Sequence, residues 1–326
     1  MRHRYSRREF NKSVLAGVPA AFMLGHAPVT LTDINSKLKG VQIGAITYSF
    51  NRLAANPEDI IKAYVSIGLG EMELMSNHAE MLAGAPAGRG GGGGNRAGRG
   101  ATLTPEEQAT QQAARDAALK ATRDWRAAAT EATFKPVRKK IADAGIDIRV
   151  LCYNMNSSVR DEDIEYGFNM AKWLGAQALS TSTQVSMAKR IAPFAEKHKM
   201  MTGFHGHDQV DRPDEVHNEE SFKAVMAAGK YLGANLDVGH YTAANGDAVA
   251  FIKQHHSRIT NLHLKDMKRN HGPYTPFGQG DAPLKDVLLL LSKEKWDIPV
   301  NIEFEYTGDP LVEVAKCFEF CKEVLK

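Results

Sequence analysis

Cysteine is scarce in this chain: Cys152, Cys317 and Cys321 are the only three in 326 residues. They form no metal framework, and Cys317 and Cys321, four apart, share one helical face, a spacing that suits two buried thiols better than a disulfide. No Gly-x-Gly-x-x-Gly follows the first predicted strand, which argues against a dinucleotide-binding open sheet. The one glycine-rich stretch lacks Gly-Lys-Ser/Thr and has no strand leading into it, which argues against a phosphate-cradling loop. A strong charge of one sign is also lacking, since 41 Lys and Arg face 38 Asp and Glu. Much of the small basic surplus lies at the N-terminus and in an Arg/Gly segment, so the balance does not point to nucleic acid. The 43% hydrophobic content over this length is enough for one large domain or two small ones.

Residues 1–35 read as an export signal and linker. Ser6-Arg7-Arg8-Glu9-Phe10-Asn11-Lys12 resembles the twin-arginine motif, and the apolar segment Val14 to Leu24 follows it. That segment is shorter than the ~20 residues of a spanning helix. The expectation is therefore delivery to the periplasm by the twin-arginine machinery, with no stable membrane anchor.

From Val41 the chain alternates. Strands are expected at 41–48, 70–75, 147–152, 177–182, 201–205, 235–238, 259–264 and 299–304. Helices are expected at 57–68, 161–175, 185–198, 219–232, 247–256, from 284, and at 310–325. Residues 78–130 interrupt the second unit. They hold the unbroken run Gly90 to Gly94, flanked by Arg89, Arg96 and Arg99, which cannot bury a core. Thr104-Pro105-Glu106-Glu107 then reads as a capping box opening an Ala-rich helix to about Ala129. Eight strand–helix units predict an α/β fold, a (β/α)8 TIM barrel over 36–326, with 78–130 inserted after the second strand as a lid or surface arm.

On such a barrel the carboxyl ends of all strands share one face. Strand two delivers Glu73, strand five His205-Gly206-His207, and strand six Asp237 and His240. Strand seven delivers His263, Lys265 and Asp266, and strand eight Glu303 and Glu305. The other strands offer Tyr48, Tyr153-Asn154 and Thr181-Ser182-Thr183. Charge at the end of a buried strand must be paired or bind a metal. Nitrogen and oxygen donors without thiolate suit Mn, Zn, Co or Fe(II), with Mg less favoured. Each residue also has a plainer reading: Asp237 capping the next turn, His207 capping its loop, Asp266 fixing a turn. Alternation sends Glu303 and Glu305 the same way, so either could be the inward one.

His263-Leu264-Lys265-Asp266, Asp237-Val238-Gly239-His240 and Ile302-Glu303 resemble the seventh, sixth and eighth strand motifs of the xylose-isomerase-like sugar isomerases and epimerases, which include ketose 3-epimerases and inosose dehydratases. The resemblance covers 41–326 apart from the insertion. It implies a divalent metal held by the strand-five residue, Asp237, His263 and Glu303, with His240 and Arg269 on substrate oxygens. The epimerases carry Glu at the strand-five position and this chain has His205, so their two-glutamate mechanism does not carry over unchanged. Glu303 is then the expected base, with His205 or His207 as substitutes and His207 or His240 as acid. Substrate contacts are expected from His207, His240, Lys265, Arg269, Glu73 and Asn154. The expected activity is isomerisation or epimerisation of a sugar or cyclitol through an enediolate. The alternatives are a lyase or dehydratase using the same metal, and a non-catalytic sugar-binding protein. Related abasic-site endonucleases fit less well, because no His occurs between Leu103 and His198. A homo-oligomer is left open.

Arg7-Arg8→Lys-Lys should leave the protein in the cytoplasm, because the export receptor reads that pair. Cell fractionation checks this, and undiminished periplasmic delivery would refute the signal.

Overall fold

Eight short runs, buried along nearly their whole length, become eight parallel strands. The computed structural model describes residues 34–86 and 104–326. The twin-arginine stretch and the Gly90 to Gly94 run lie outside the described residues. The barrel strands are β1 (Val41–Ile46), β2 (Glu71–Met75), β3 (Asp147–Cys152), β4 (Ala178–Thr181), β5 (Met201–His205), β6 (Leu232–Asp237), β7 (Ile259–Leu264) and β8 (Val300–Ile302). Each pairs in parallel with its neighbours in sequence, and β1 pairs with both β2 and β8, which closes the sheet. The fold is therefore the expected (β/α)8 barrel, with a short antiparallel strand, Lys37–Leu38, added beside β1.

The surrounding helices are α1 (Pro57–Ile67), α2 (Ser76–Leu82), α3 (Pro105–Ala128), α4 (Glu131–Asp143), α5 (Asp161–Leu174), α6 (Ala188–His198), α7 (Glu219–Ala227), α8 (Val238–Ala243), α9 (Ala248–His255), α10 (Leu284–Glu294) and α11 (Pro310–Val324). α3 begins as its sequence predicts. Thr104 Oγ1 accepts from the Glu107 backbone N–H, and the Glu107 carboxylate accepts from the Thr104 N–H. None of its residues is buried. Its last turns hold it to the barrel: Arg126 donates twice to Glu80, and the Trp125 ring meets Phe134 edge-on at 5.9 Å.

Three helices were not expected, the first being the short α2 directly after β2. α4 supplies the crossover of the second unit and buries Phe134, which stacks on Trp173 at 5.8 Å; Pro136 inside it breaks the helical signal. α8 starts directly at the end of β6, where a strand was expected to run through Val238. The Asp237 carboxylate accepts from the His240 N–H at 2.8 Å and so starts the helix one residue after the strand ends. α7 also stops at Ala227, because Leu232 is already in β6.

Two register shifts set which residues face one another. One residue of β7, Thr260, is bulged between Ile259 and Asn261, so that Asp237 comes opposite His263. A similar shift on β3 skips Arg149. Bulges bend a strand and re-aim its side chains, and they concentrate near active sites.

β6 is packed tightly at its start. A Cβ on Gly233 would stand 2.1 Å from the backbone oxygen of Arg258. That segment cannot easily yield, because the Arg258 guanidinium also holds the carbonyls of Gly229, at 2.7 Å, and Met226, at 3.1 Å. Gly233→Ala should therefore cost about 1–3 kcal/mol by overpacking. Urea unfolding checks this, and unchanged stability would show that the β6–β7 contact can relax.

Candidate active site

The barrel interior is unusually polar. Asn235, Asn261 and Asn301 point inward from β6, β7 and β8, all within 1% of complete burial. Asn301 Nδ2 donates to Glu71 at 2.8 Å, and Asn261 Nδ2 donates to Asn301 at 3.0 Å and to Glu73 at 2.9 Å. Burial pushes the Glu71 carboxyl well up, against the hydrogen bond from Asn301 and the charge of Arg149. Ser180 and Asn235 complete the shell of Glu73. A buried polar group without a partner is costly, so this column is a single connected network.

The network ends at His263. Its Nε2 lies 2.5 Å from Glu73 and its Nδ1 2.8 Å from Glu303. Burial works to lower its pKa, but the two carboxylates prevail and raise it well above the usual imidazole value. Next to it, Lys265 Nζ is 3.0 Å from Asp237, 2.9 Å from Glu303, 2.7 Å from Glu305 and 3.1 Å from His240 Nε2. Burial opposes the ammonium, yet the three carboxylates hold it charged, well above the usual lysine range. Burial also tends to raise Glu303, but Lys265 and His263 bring its carboxyl well below the ordinary range. His205 carries no such partner. Burial first, then the charges of His263 and His207, depress it strongly, and its Nδ1 makes no hydrogen bond.

His205, Asp237, His263 and Glu303 each offer a donor atom within 4.8 Å of the others, and all four are buried. A cavity of about 260 Å³ opens above them. At its mouth His207 Nδ1 lies 2.7 Å from Glu215, with Nε2 3.2 Å from Ser182. His240 Nδ1 lies 3.2 Å from Asp208, whose other oxygen is 3.3 Å from the exposed His271. His240 holds the Asp208 carboxyl well below its usual range. Tyr48, Asn154, Glu305 and Tyr274 complete the wall.

Most of the residues expected at the site thus meet there: His205, His207, Asn154, His240, Lys265 and Glu303 line the cavity, with Asp237 and His263 against them. The choice between Glu303 and Glu305 resolves as a division of labour. Both point inward, Glu303 buried in the cluster and Glu305 at the rim.

Two expectations are corrected. Glu73 does not reach the cavity; it is fully buried beneath His263 and orients that ring. Arg269 is exposed and lines a separate open groove between α9 and α10 with Lys253 and Lys293. Its backbone N–H is tied to Asp281, and left-handed residues at Asn270 and His271 turn the chain away. Sequence reasoning missed Asp208 and Glu215, the carboxylates behind His240 and His207. It also missed the asparagine layer, although Asn-Leu-Asp, Asn-Leu-His and Asn-Ile-Glu recur at the ends of three successive strands.

A sequence model of the xylose isomerase-like TIM barrel family matches residues 116–324. No curated protein matches the chain. Among solved structures it is similar to a probable 3-DHS dehydratase involved in petrobactin synthesis in Bacillus anthracis, at 13% identity over 86% of this chain and 98% of that one, with a TM-score of 0.59. It is also similar to an L-ribulose 3-epimerase, at 10% identity over 87% and 94%, TM-score 0.57. A third is the IOLI protein with a bound zinc atom, at 12% identity over 87% and 96%, TM-score 0.54. At these identities the likeness establishes the fold.

Lys265→Met should cost roughly 3–5 kcal/mol, the usual result of removing one partner from a buried ion pair. Urea unfolding at neutral pH checks this. Full stability in the variant would mean that the carboxylates relax without the ammonium.

Proposed function

Because the chain belongs to the xylose isomerase-like TIM barrel family, we propose that it is a divalent-metal-dependent enzyme that moves a proton beside a carbonyl of a sugar or cyclitol, as an isomerase or epimerase. The observation that carries this reading is the convergence of four buried donors from four consecutive strands.

The donors fit an ion. Two imidazoles and two carboxylates without thiolate suit Mn, Zn, Co or Fe(II). Burial favours the neutral form of His205 that a ligand needs, and its Nδ1 has no partner in the protein; His263, held by carboxylates at both nitrogens, would have to give up its proton and its contact with Glu303 to an ion. The contact of His263 with Glu73 is the kind of outer hydrogen bond that orients a ligating imidazole. When bound, a divalent ion supplies Lewis-acid stabilisation of the negative charge that develops on adjacent substrate oxygens.

The protein's own groups would do the rest. The Glu303 carboxylate takes the proton next to the carbonyl. Lys265, 2.9 Å away, keeps that carboxylate ionised and aimed. His207 and His240, each backed by a carboxylate, hold substrate hydroxyls and can give a proton to oxygen. Ile46, Met75 and Tyr274 add apolar surface to the cavity wall.

One observation supports a second reading, a lyase. The fifth strand presents neutral His205 where a two-base epimerase needs a second carboxylate. A single base, Glu303, with His207 or His240 protonating a departing oxygen, is sufficient for elimination. The proton leaves carbon, the C–O bond breaks, and the leaving oxygen takes the histidine's proton.

The test is Glu303→Gln in protein loaded with Mn, with metal content measured separately. Exchange of the substrate α-proton with deuterium should fall by roughly the 10²–10⁴-fold of a lost general base, while about one ion per chain is retained. His263→Ala should lose the ion itself. Equal exchange by Glu303→Gln would place the base elsewhere, and absence of bound metal in the wild type would remove the site. Conservation of substrate mass distinguishes isomerase from lyase.

A further inference from the structure

We propose that this site takes an uncharged sugar or cyclitol of about one ring and discriminates against its phosphate ester. This rests on the catalytic reading above and specifies the substrate class.

A phosphate monoester needs free cationic side chains or unclaimed backbone N–H groups. Among the described residues around the cavity, each side chain that can carry positive charge outside the candidate ligand set already faces a carboxylate. Lys265 has Asp237, Glu303 and Glu305, His240 has Asp208, and His207 has Glu215. The guanidinium of Arg269, which could have served an anion, belongs to the separate outer groove.

The backbone is equally committed. In many barrels of this kind a phosphate is held by the loops after strands seven and eight. Here the loop after β7 does gather backbone donors, since the N–H groups of Gly278, Gly280 and Ala282 converge at 2.8, 3.0 and 3.2 Å. They converge on the carboxylate of Asp266, which takes the place an anion would have. After β8, Asp309 occupies the N-terminus of α11, accepting from Leu311 at 2.8 Å and Val312 at 3.4 Å. Both customary anion positions are thus filled by the chain's own aspartates.

What remains suits a neutral polyol. Asn154, Ser182 and Gln209 offer uncharged hydrogen-bonding groups, Tyr48 and Tyr274 offer rings, and the volume of about 260 Å³ is at the small end for a ligand site.

The experiment is calorimetric and saturation-transfer NMR titration of the full-length protein with its divalent ion, quantified by elemental analysis. The probes are matched pairs: D-fructose and D-fructose 6-phosphate, D-glucose and D-glucose 6-phosphate, myo-inositol and its 1-phosphate. At least one free compound should bind, and its phosphate should bind at least about tenfold more weakly. Glu305→Gln should narrow that gap, because it removes a rim carboxylate. Equal or tighter binding of the ester, a gap unmoved by Glu305→Gln, or no binding of any free compound would overturn the inference. Protein that retains no ion would instead overturn the metal reading, which separates the two failures.

Discussion

Everything at the centre of this barrel depends on how His263 is held. An imidazole with carboxylates at both nitrogens, 3% exposed, is tolerable only because Glu73 and Glu303 are themselves bonded on their far sides. Desolvating any one of these groups alone would cost several kcal/mol. The requirement therefore propagates in two directions. Downward it calls for Asn261, Asn235 and Ser180 around Glu73. Upward it calls for Lys265 to balance Glu303, and then for Asp237 and Glu305 to balance Lys265. A barrel interior is ordinarily filled by layers of Val, Ile and Leu. Here those layers are replaced on β6, β7 and β8 by a bonded column that ends in the site.

Much of this was legible in the sequence. Strand ends could be read because inward and outward positions alternate, so Asp237, His263 and Glu303 declared themselves as charges where apolar residues were due. The barrel followed from eight repeated units, and the capped start of α3 from Thr104 to Glu107 alone. The two readings of Asp237, cap or site residue, were posed as rivals and are compatible. One oxygen starts α8 while the other lies 3.0 Å from Lys265.

The rest was hidden for physical reasons. Glu73 stands in the middle of β2, two residues before its end, and Glu303 directly after β8, but the sequence does not tell how these two levels compare across the barrel. That depends on barrel stagger and on the bulges at Arg149 and Thr260. Arg269 follows His263 at a suggestive spacing, but two left-handed residues after it carry the chain outward. Asp208 and Glu215 sit in an irregular loop after β5, where no periodicity links them to the histidines they back. The asparagines could have been found, since the same tripeptide pattern precedes three site residues in succession.

The polar column also constrains how such a protein can change over time. Asn261 serves Glu73 and Asn301 together, and Asn301 in turn serves Glu71. Replacing any one of them with a hydrocarbon side chain strands its neighbours, so the effects of single substitutions in this column will not add. A conversion to an ordinary apolar interior would have to pass through intermediates worse than either end. The column beneath the site can thus be altered only as a block.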